Sequence, residues 1–275
     1  MKIIWGLQQK DKTQLHSQFV YDMFYVSIQM VKDLGYETVL YGSTDAIQRL
    51  GSYVDEVHNT DDLDYLFFDD LKIHIWETRK DDYLLIDGDV FIHSPIIFKN
   101  TNSFVWIDTI VKAQYGGIMK DALSSFNTFD IPSIVPEWNS QTKISFSTGL
   151  VRIKNNNGFI DYYIHSYKKL RSWFLENKKI LIESNSYLDP LKSISSHLIC
   201  EHLLQRMIEY YGLQFEELNK ENSYYHWQGY EKFKNNDMVE CIRLVSDTHK
   251  IMRGNIKNVY EYLLNDGKIK PILYS

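Results

Sequence analysis

The chain has 275 residues, enough for one large α/β domain, or a domain with a helical extension, to bury a core without disulfides or a structural metal. With 30 Lys and Arg against 36 Asp and Glu it carries a net charge of −6, and its basic residues are scattered, which excludes the electrostatic footprint of a nucleic-acid-binding protein. Its two cysteines, Cys200 and Cys241, have no partners at metal-ligand spacing, so a reducing, cytoplasmic setting is expected.

Residues 2–5 read as a short buried strand, followed by a polar loop at Gln8-Gln9-Lys10-Asp11-Lys12. From Thr13 the spacing becomes helical, with Leu15, Phe19, Val20, Met23, Phe24, Val31 and Leu34 on one face and Gly35 closing the helix. Residues 37–41 form a second strand, Ser43 or Thr44 caps a short helix ending before Gly51, and 54–57 form a third strand. Asp61 or Asp62 then opens a helix toward Lys80. Tyr83-Leu84-Leu85-Ile86 is a continuous apolar run, the mark of a strand buried on both faces of a mainly parallel sheet. Further strands are expected at 103–107, 144–153 and 242–245. Helices are expected at 158–176, 196–211 and near 259–264, and a loop-rich stretch lies around Pro132 and Pro136. The apolar stub Met1–Gly6 is too short for a signal peptide, and no run of about 18 apolar residues occurs, so no transmembrane segment is expected. Peripheral contact with a membrane surface is left open.

Strand alternating with helix points to an α/β fold whose ligands bind beyond the carboxyl ends of the strands. The loop after Ile86 holds Asp87-Gly88-Asp89. On an extended chain, carboxylates at i and i+2 lie on one side, and the glycine between them lets a ligand come close. Such a pair is a hard-oxygen site for Mn²⁺ or Mg²⁺, open where a diphosphate completes the coordination.

The run Leu84-Leu85-Ile86-Asp87-Gly88-Asp89-Val90 resembles the DXD segment of GT-A fold glycosyltransferases, especially the retaining galactosyltransferase and glycogenin-like group. Phe146-Ser147-Thr148-Gly149-Leu150-Val151 resembles that family's Asn-Ser-Gly strand, with Ser147 where Asn is usual. Cys200-Glu201-His202-Leu203-Leu204 stands where the family has an acidic-Gln pair, and His249, Gly254 and Lys257 resemble its His-x-x-Gly-x-x-Lys, the His-to-Gly interval being two residues longer. The resemblance implies a GT-A-like, Rossmann-like domain over 1–275: a mostly parallel mixed sheet flanked by helices, with a helical C-terminal extension. It divides into a nucleotide-binding half (1–100), an acceptor and donor-sugar half (101–195) and a closing helical segment (196–275). It further implies a metal held by Asp87, Asp89 and His249, catalytic roles for Asp89, Glu201 and His202, and donor contacts from Gly6, Leu7, Gln8, Asp87, Gly88, Ser147, Thr148, Gly149 and Lys257. The donor would be a nucleotide diphosphate sugar, UDP-linked as in the resembled families, and the acceptor a glycan, a lipid-linked saccharide or a protein.

A sugar nucleotidyltransferase would share the fold class but needs a Gly-rich phosphate loop after the first strand, which Gly6-Leu7-Gln8-Gln9-Lys10 is not, and two other rivals remain at this point. A haloacid-dehalogenase-like phosphatase also places Asp-x-Asp after an apolar strand, but its motif wants Thr or Val where this chain has Phe91, and it usually ends the first strand. A non-catalytic carbohydrate- or nucleotide-binding protein of the same fold is the other.

Overall fold

The computed structural model describes residues 1–8, 17–67, 69–100, 102–112, 118–139, 144–154, 158–218, 223–227 and 235–273. The loop residues Gln9, Lys10, Asp11 and Lys12, and the expected helix start at Thr13 with Leu15, lie outside them. The chain forms two compact units, the first from 1–63, 83–99 and 219–275, the second from 64–82 and 100–218. Both are α/β. Parallel strand pairs predominate and helices flank them, as the sequence predicts.

In the first unit four parallel strands run in the order β3-β2-β1-β4. They are β1 (Lys2–Leu7), β2 (Glu37–Gly42), β3 (Glu56–Asn59) and β4 (Tyr83–Ile86). Ile3, Ile4, Trp5, Val39, Leu40, Leu84 and Leu85 are buried along them, which is why these segments read as unbroken apolar runs rather than alternations. Helix α1 (Gln18–Asp33) crosses from β1 to β2 and ends at Gly35, whose φ of +78° suits a residue without a Cβ. Ser43 caps α2 (Thr44–Leu50) by accepting from the Ala46 amide. A separate two-stranded ribbon pairs β5 (Val90–Ile92) antiparallel with β9 (Tyr224–His226).

The C-terminal part departs from expectation. Residues 242–245 are not a strand but the middle of a helix, α9 (Asn236–Met252), followed by α10 (Ile256–Asn265). Met238, Cys241, Ile242, Val245 and His249 are its buried stripe, at intervals of three and four. The short apolar cluster at 241–245 is one stretch of that stripe.

In the second unit β6 (Val105–Lys112) pairs antiparallel with β7 (Ile144–Ile153) and parallel with β8 (Phe215–Glu217). Helix α3 (Asp70–Thr78) starts about two turns later than predicted, because Asp70 Oδ2 accepts from the amides of Leu66 and Phe67 and fixes a loop ahead of it. Helix α4 (Ile118–Phe126) and two 3₁₀ turns (Ile131–Ser133, Pro136–Asn139) occupy the proline-containing stretch. Helices α5 (Phe159–Glu176) and α6 (Lys178–Ser184) follow. The expected 196–211 helix is α7 (Ser193–His197), a π-helical turn (Leu198–His202) and α8 (Leu203–Tyr210) in succession. No described helix is long and apolar enough to cross a membrane.

Candidate active site

The register of β1 with β4 pairs Trp5 with Ile86, so one further step sets Asp87 level with Gly6. Two groups chosen from sequence, Gly6-Leu7-Gln8 and Asp87-Gly88-Asp89, therefore share the carboxyl edge of the first unit's strands, where α/β sheets bind ligands. Gln8 accepts a hydrogen bond from Thr60 Oγ1 at 2.7 Å, beyond the end of β3.

Asp87-Gly88-Asp89 is not extended. The Val90 amide donates to the Asp87 carbonyl at 3.1 Å, closing a tight turn, so the i, i+2 geometry expected of a strand does not apply. Gly88 also has a different purpose from the one expected. A Cβ built there would collide with the ring of Phe24, so the glycine is needed for that packing. Asp87 is half-buried and Asp89 buried. The Asp89 carboxylate faces a histidine that sequence reasoning passed over: His226 Nε2 lies 3.5 Å from Asp89 Oδ1, and its side chain is likewise buried. The β5–β9 ribbon makes this juxtaposition. Val90 pairs with His226, the Trp227 amide donates to the Asp89 carbonyl, and the His93 and Ser94 amides donate to the Ser223 carbonyl. The signal for His226 was present in the sequence. His226, Gly229 and Lys232 stand at His-x-x-Gly-x-x-Lys spacing with no excess, although residues 228–234 lie outside the described ones. The aromatic, weakly patterned stretch around it concealed the strand.

His249 is placed otherwise. It lies on α9, buried, with Nδ1 2.8 Å from the Tyr25 hydroxyl and Nε2 2.9 Å from the Gly254 carbonyl. Both ring nitrogens thus have protein partners. The two positive-φ residues that come after it, Arg253 (+56°) and Gly254 (+97°), form the turn this histidine closes. Lys257 is exposed in the first turn of α10, 3.9 Å from Glu261. Among the described residues no three His, Cys, Asp or Glu side chains converge as a metal site.

The second unit gathers Thr148 and Glu201 into one buried network. Thr148 on β7 donates from its amide and its hydroxyl to Glu201 Oε1, at 2.9 and 2.7 Å. Glu201 Oε2 faces His197 Nδ1 at 3.0 Å. Lys72, nearly buried on α3, donates to the Thr148 carbonyl and hydroxyl and stands 3.5 Å from Asp69. Burial alone would raise the Glu201 pKa, but His197, Lys72 and the Thr148 amide outweigh it and hold the carboxyl down to about 2. Burial would likewise lower His197, yet the Glu201 carboxylate carries it up to about 9. His202 is pushed down to about 3 by burial, with Arg206 adding to the effect, so its imidazole stays neutral. Ser147 is partly exposed beside Thr148, and its hydroxyl accepts weakly from the Gly149 amide at 3.5 Å. Asp69, Lys72 and His197 were missed because nothing in a single helix-forming stretch distinguishes a buried ion pair from a solvated one.

No family model matches the chain, and no curated protein sequence matches it. Solved structures similar to it include the glycosyltransferase GlyE of Streptococcus pneumoniae TIGR4, with 8% identity, 98% of this chain and 65% of that chain covered, and a TM-score of 0.47. Another is the inositol-1-phosphate CTP transferase of T. maritima, with 12% identity, 87% and 96% covered, and a TM-score of 0.44. A third is the PaToxG glycosyltransferase, with 10% identity, 95% and 86% covered, and a TM-score of 0.37. The chain spans only 65% of the length of the first of these. At such distances a function for this chain has to come from its own side chains.

Proposed function

We propose that this protein is a metal-dependent glycosyltransferase that uses a nucleotide diphosphate sugar, with UDP the carrier suggested by the resembled families. The observation that carries the reading is the pairing of Asp89 with His226 at 3.5 Å, directly after the Asp-Gly-Asp turn and at the carboxyl edge of the strands. Two carboxylates and an imidazole are a donor set suited to Mn²⁺ more than to Mg²⁺. Asp89 and His226 would hold the ion with Asp87, which does not converge with them in the structure and would have to turn toward it, in place of the set with His249, whose nitrogens face Tyr25 and Gly254. When bound, the metal neutralises charge on the departing diphosphate. Gly6, level with Asp87, and Leu7 and Gln8 beyond it are proposed to receive the nucleotide. In the second unit Glu201, with Oε1 bonded to Thr148 and Oε2 facing His197, acts as a positioning residue for the β7 strand that carries Ser147 and Gly149. The acceptor is proposed to be a hydroxyl of a glycan or glycoconjugate.

Calorimetric titration of UDP in the presence and absence of Mn²⁺ tests the reading. Nucleotide binding that requires the metal supports it. Turnover of an aryl phosphate without any nucleotide affinity would replace it with the phosphatase alternative.

A further inference from the structure

The second unit carries an exposed aromatic surface that neither the donor reading nor the packing of the core uses. Tyr162 on α5 is 59% exposed, and Tyr210 and Tyr211, closing α8, are 54% and 42% exposed. These are large, adaptable rings left in water at one place. Tyr211 sits at the centre: its ring lies 6.3 Å from Tyr162 at a tilt of 34°, and 5.1 Å from Tyr210 at 81°. The Tyr162 and Tyr211 rings are thus tilted neighbours, and Tyr210 stands nearly perpendicular to Tyr211. Beneath them the buried Phe159 packs edge-on against Tyr211.

The arrangement is held rigid. The amides of Tyr211, Gly212 and Leu213 bond back to the carbonyls of Met207, Glu209 and Ile208, and Gly212 takes a φ of +61° to complete the helix stop. The Tyr211 hydroxyl donates to Glu137 Oε1 at 3.0 Å. Glu137 is itself 93% buried, and its second oxygen, Oε2, has no hydrogen-bond partner. A buried carboxylate oxygen without a donor is costly; Oε2 is closed to solvent, so the carboxylate has to turn outward for a ligand hydroxyl to satisfy it. Burial, reinforced by Glu137, pushes the Tyr211 phenol up to about 12, so it remains a donor throughout the physiological range.

Rings that present an apolar face beside a polar tip, next to a carboxylate seeking a hydroxyl, match a pyranose, which offers a C–H face for the rings and O–H groups for the acid. The acid beside the patch, and Asp161 next to Tyr162 in sequence, disfavour an anionic partner. We propose that Tyr162, Tyr210, Tyr211 and Glu137 form a saccharide-binding platform, a docking site for neutral glycan that is separate in chemistry from the nucleotide and metal groups of the first unit.

The test is a printed array of neutral and acidic oligosaccharides probed with the labelled full chain in EDTA and without nucleotide. Its outcome is therefore independent of metal-dependent transfer. The best-bound oligosaccharide is then titrated by calorimetry. Tyr162→Ala and Tyr210→Ala, both at exposed positions, are expected to weaken binding at least tenfold, while Tyr210→Phe, which keeps the ring, stays near wild type. Glu137→Gln, which exchanges one acceptor oxygen for an amide donor, is expected to weaken binding too, and unchanged binding in this variant would remove Glu137 from the platform. The proposal is overturned if no glycan binds, or if the alanine variants bind as the wild type does. It is also overturned if the same variants instead abolish a concentration-dependent dimer seen by light scattering, which would make the patch a self-association surface.

Discussion

At Gly88 the missing side chain is what lets the buried Phe24 ring lie against the turn that presents Asp87 and Asp89. Gly88→Ala is therefore an overpacking substitution, expected to cost about 1–3 kcal/mol. Urea unfolding should register that loss, and a second substitution, Phe24→Leu, should recover part of it; an unchanged midpoint for Gly88→Ala would mean that the ring moves aside freely. The two histidines separate in the same way. His249→Ala removes the partner of the Tyr25 hydroxyl and of the Gly254 carbonyl, so it should cost about 1–3 kcal/mol of stability while leaving Mn²⁺-dependent UDP affinity unchanged. His226→Ala should do the reverse, lowering that affinity by roughly tenfold or more with a smaller effect on folding. A loss of metal dependence in the His249 variant alone would return the ligand role to His249.

Two elements determine how these residues meet. The β5–β9 ribbon is only three residues long on each strand, yet its register fixes His226 opposite Val90 and so beside Asp89. The π-helical turn at Leu198–His202 is the wider winding that often accompanies functional sites, and on it Glu201 meets both Thr148 of β7 and His197, four residues earlier in the chain. The charge pair makes a pH prediction. Glu201's contribution is complete above its ordinary value of 4.5 and is lost as pH falls toward about 2. His197's contribution is complete below its ordinary value of 6.5 and is lost as pH rises through about 9. Both are whole between pH 4.5 and 6.5. The melting temperature of the wild type should fall on either side of that window more steeply than that of Glu201→Gln. Parallel curves for the two proteins would show that the pair does not contribute. Because His197 is partly exposed, solvent screens its share.

Across the whole molecule, removing the proposed metal chemistry should not remove the fold. Asp89→Asn keeps the shape and the main-chain bond to Trp227, so its melting temperature should stay within a few degrees of wild type. Transfer from a nucleotide sugar should nonetheless be lost, and full activity in this variant would contradict the assignment of Asp89. The core of each unit is built on apolar side chains, Ile3, Ile4 and Trp5 in the first and Trp106, Tyr163 and Leu170 in the second, which Asp89→Asn leaves unchanged.

What the sequence determined by itself was the class of fold and the place to look. Unbroken apolar runs such as Tyr83–Ile86 can be stable only when covered on both faces, and the acids after such a run fall at the carboxyl edge of the strands. Strand and helix periodicities, together with Gly35 and Ser43, likewise arise from local geometry that a single chain segment carries. Tertiary structure alone decided which histidine stands by Asp89, that Gly88 answers to Phe24, and that Glu201 is tied to Thr148 and His197. Apart from the His197–Glu201 pair within one helical stretch, these depend on residues far apart in the chain, 137 positions in the case of Asp89 and His226, brought together by strand register and packing. The strand expected at 242–245 failed for the related reason that a few apolar residues fit a strand and a helical stripe equally well until the surface they cover is known.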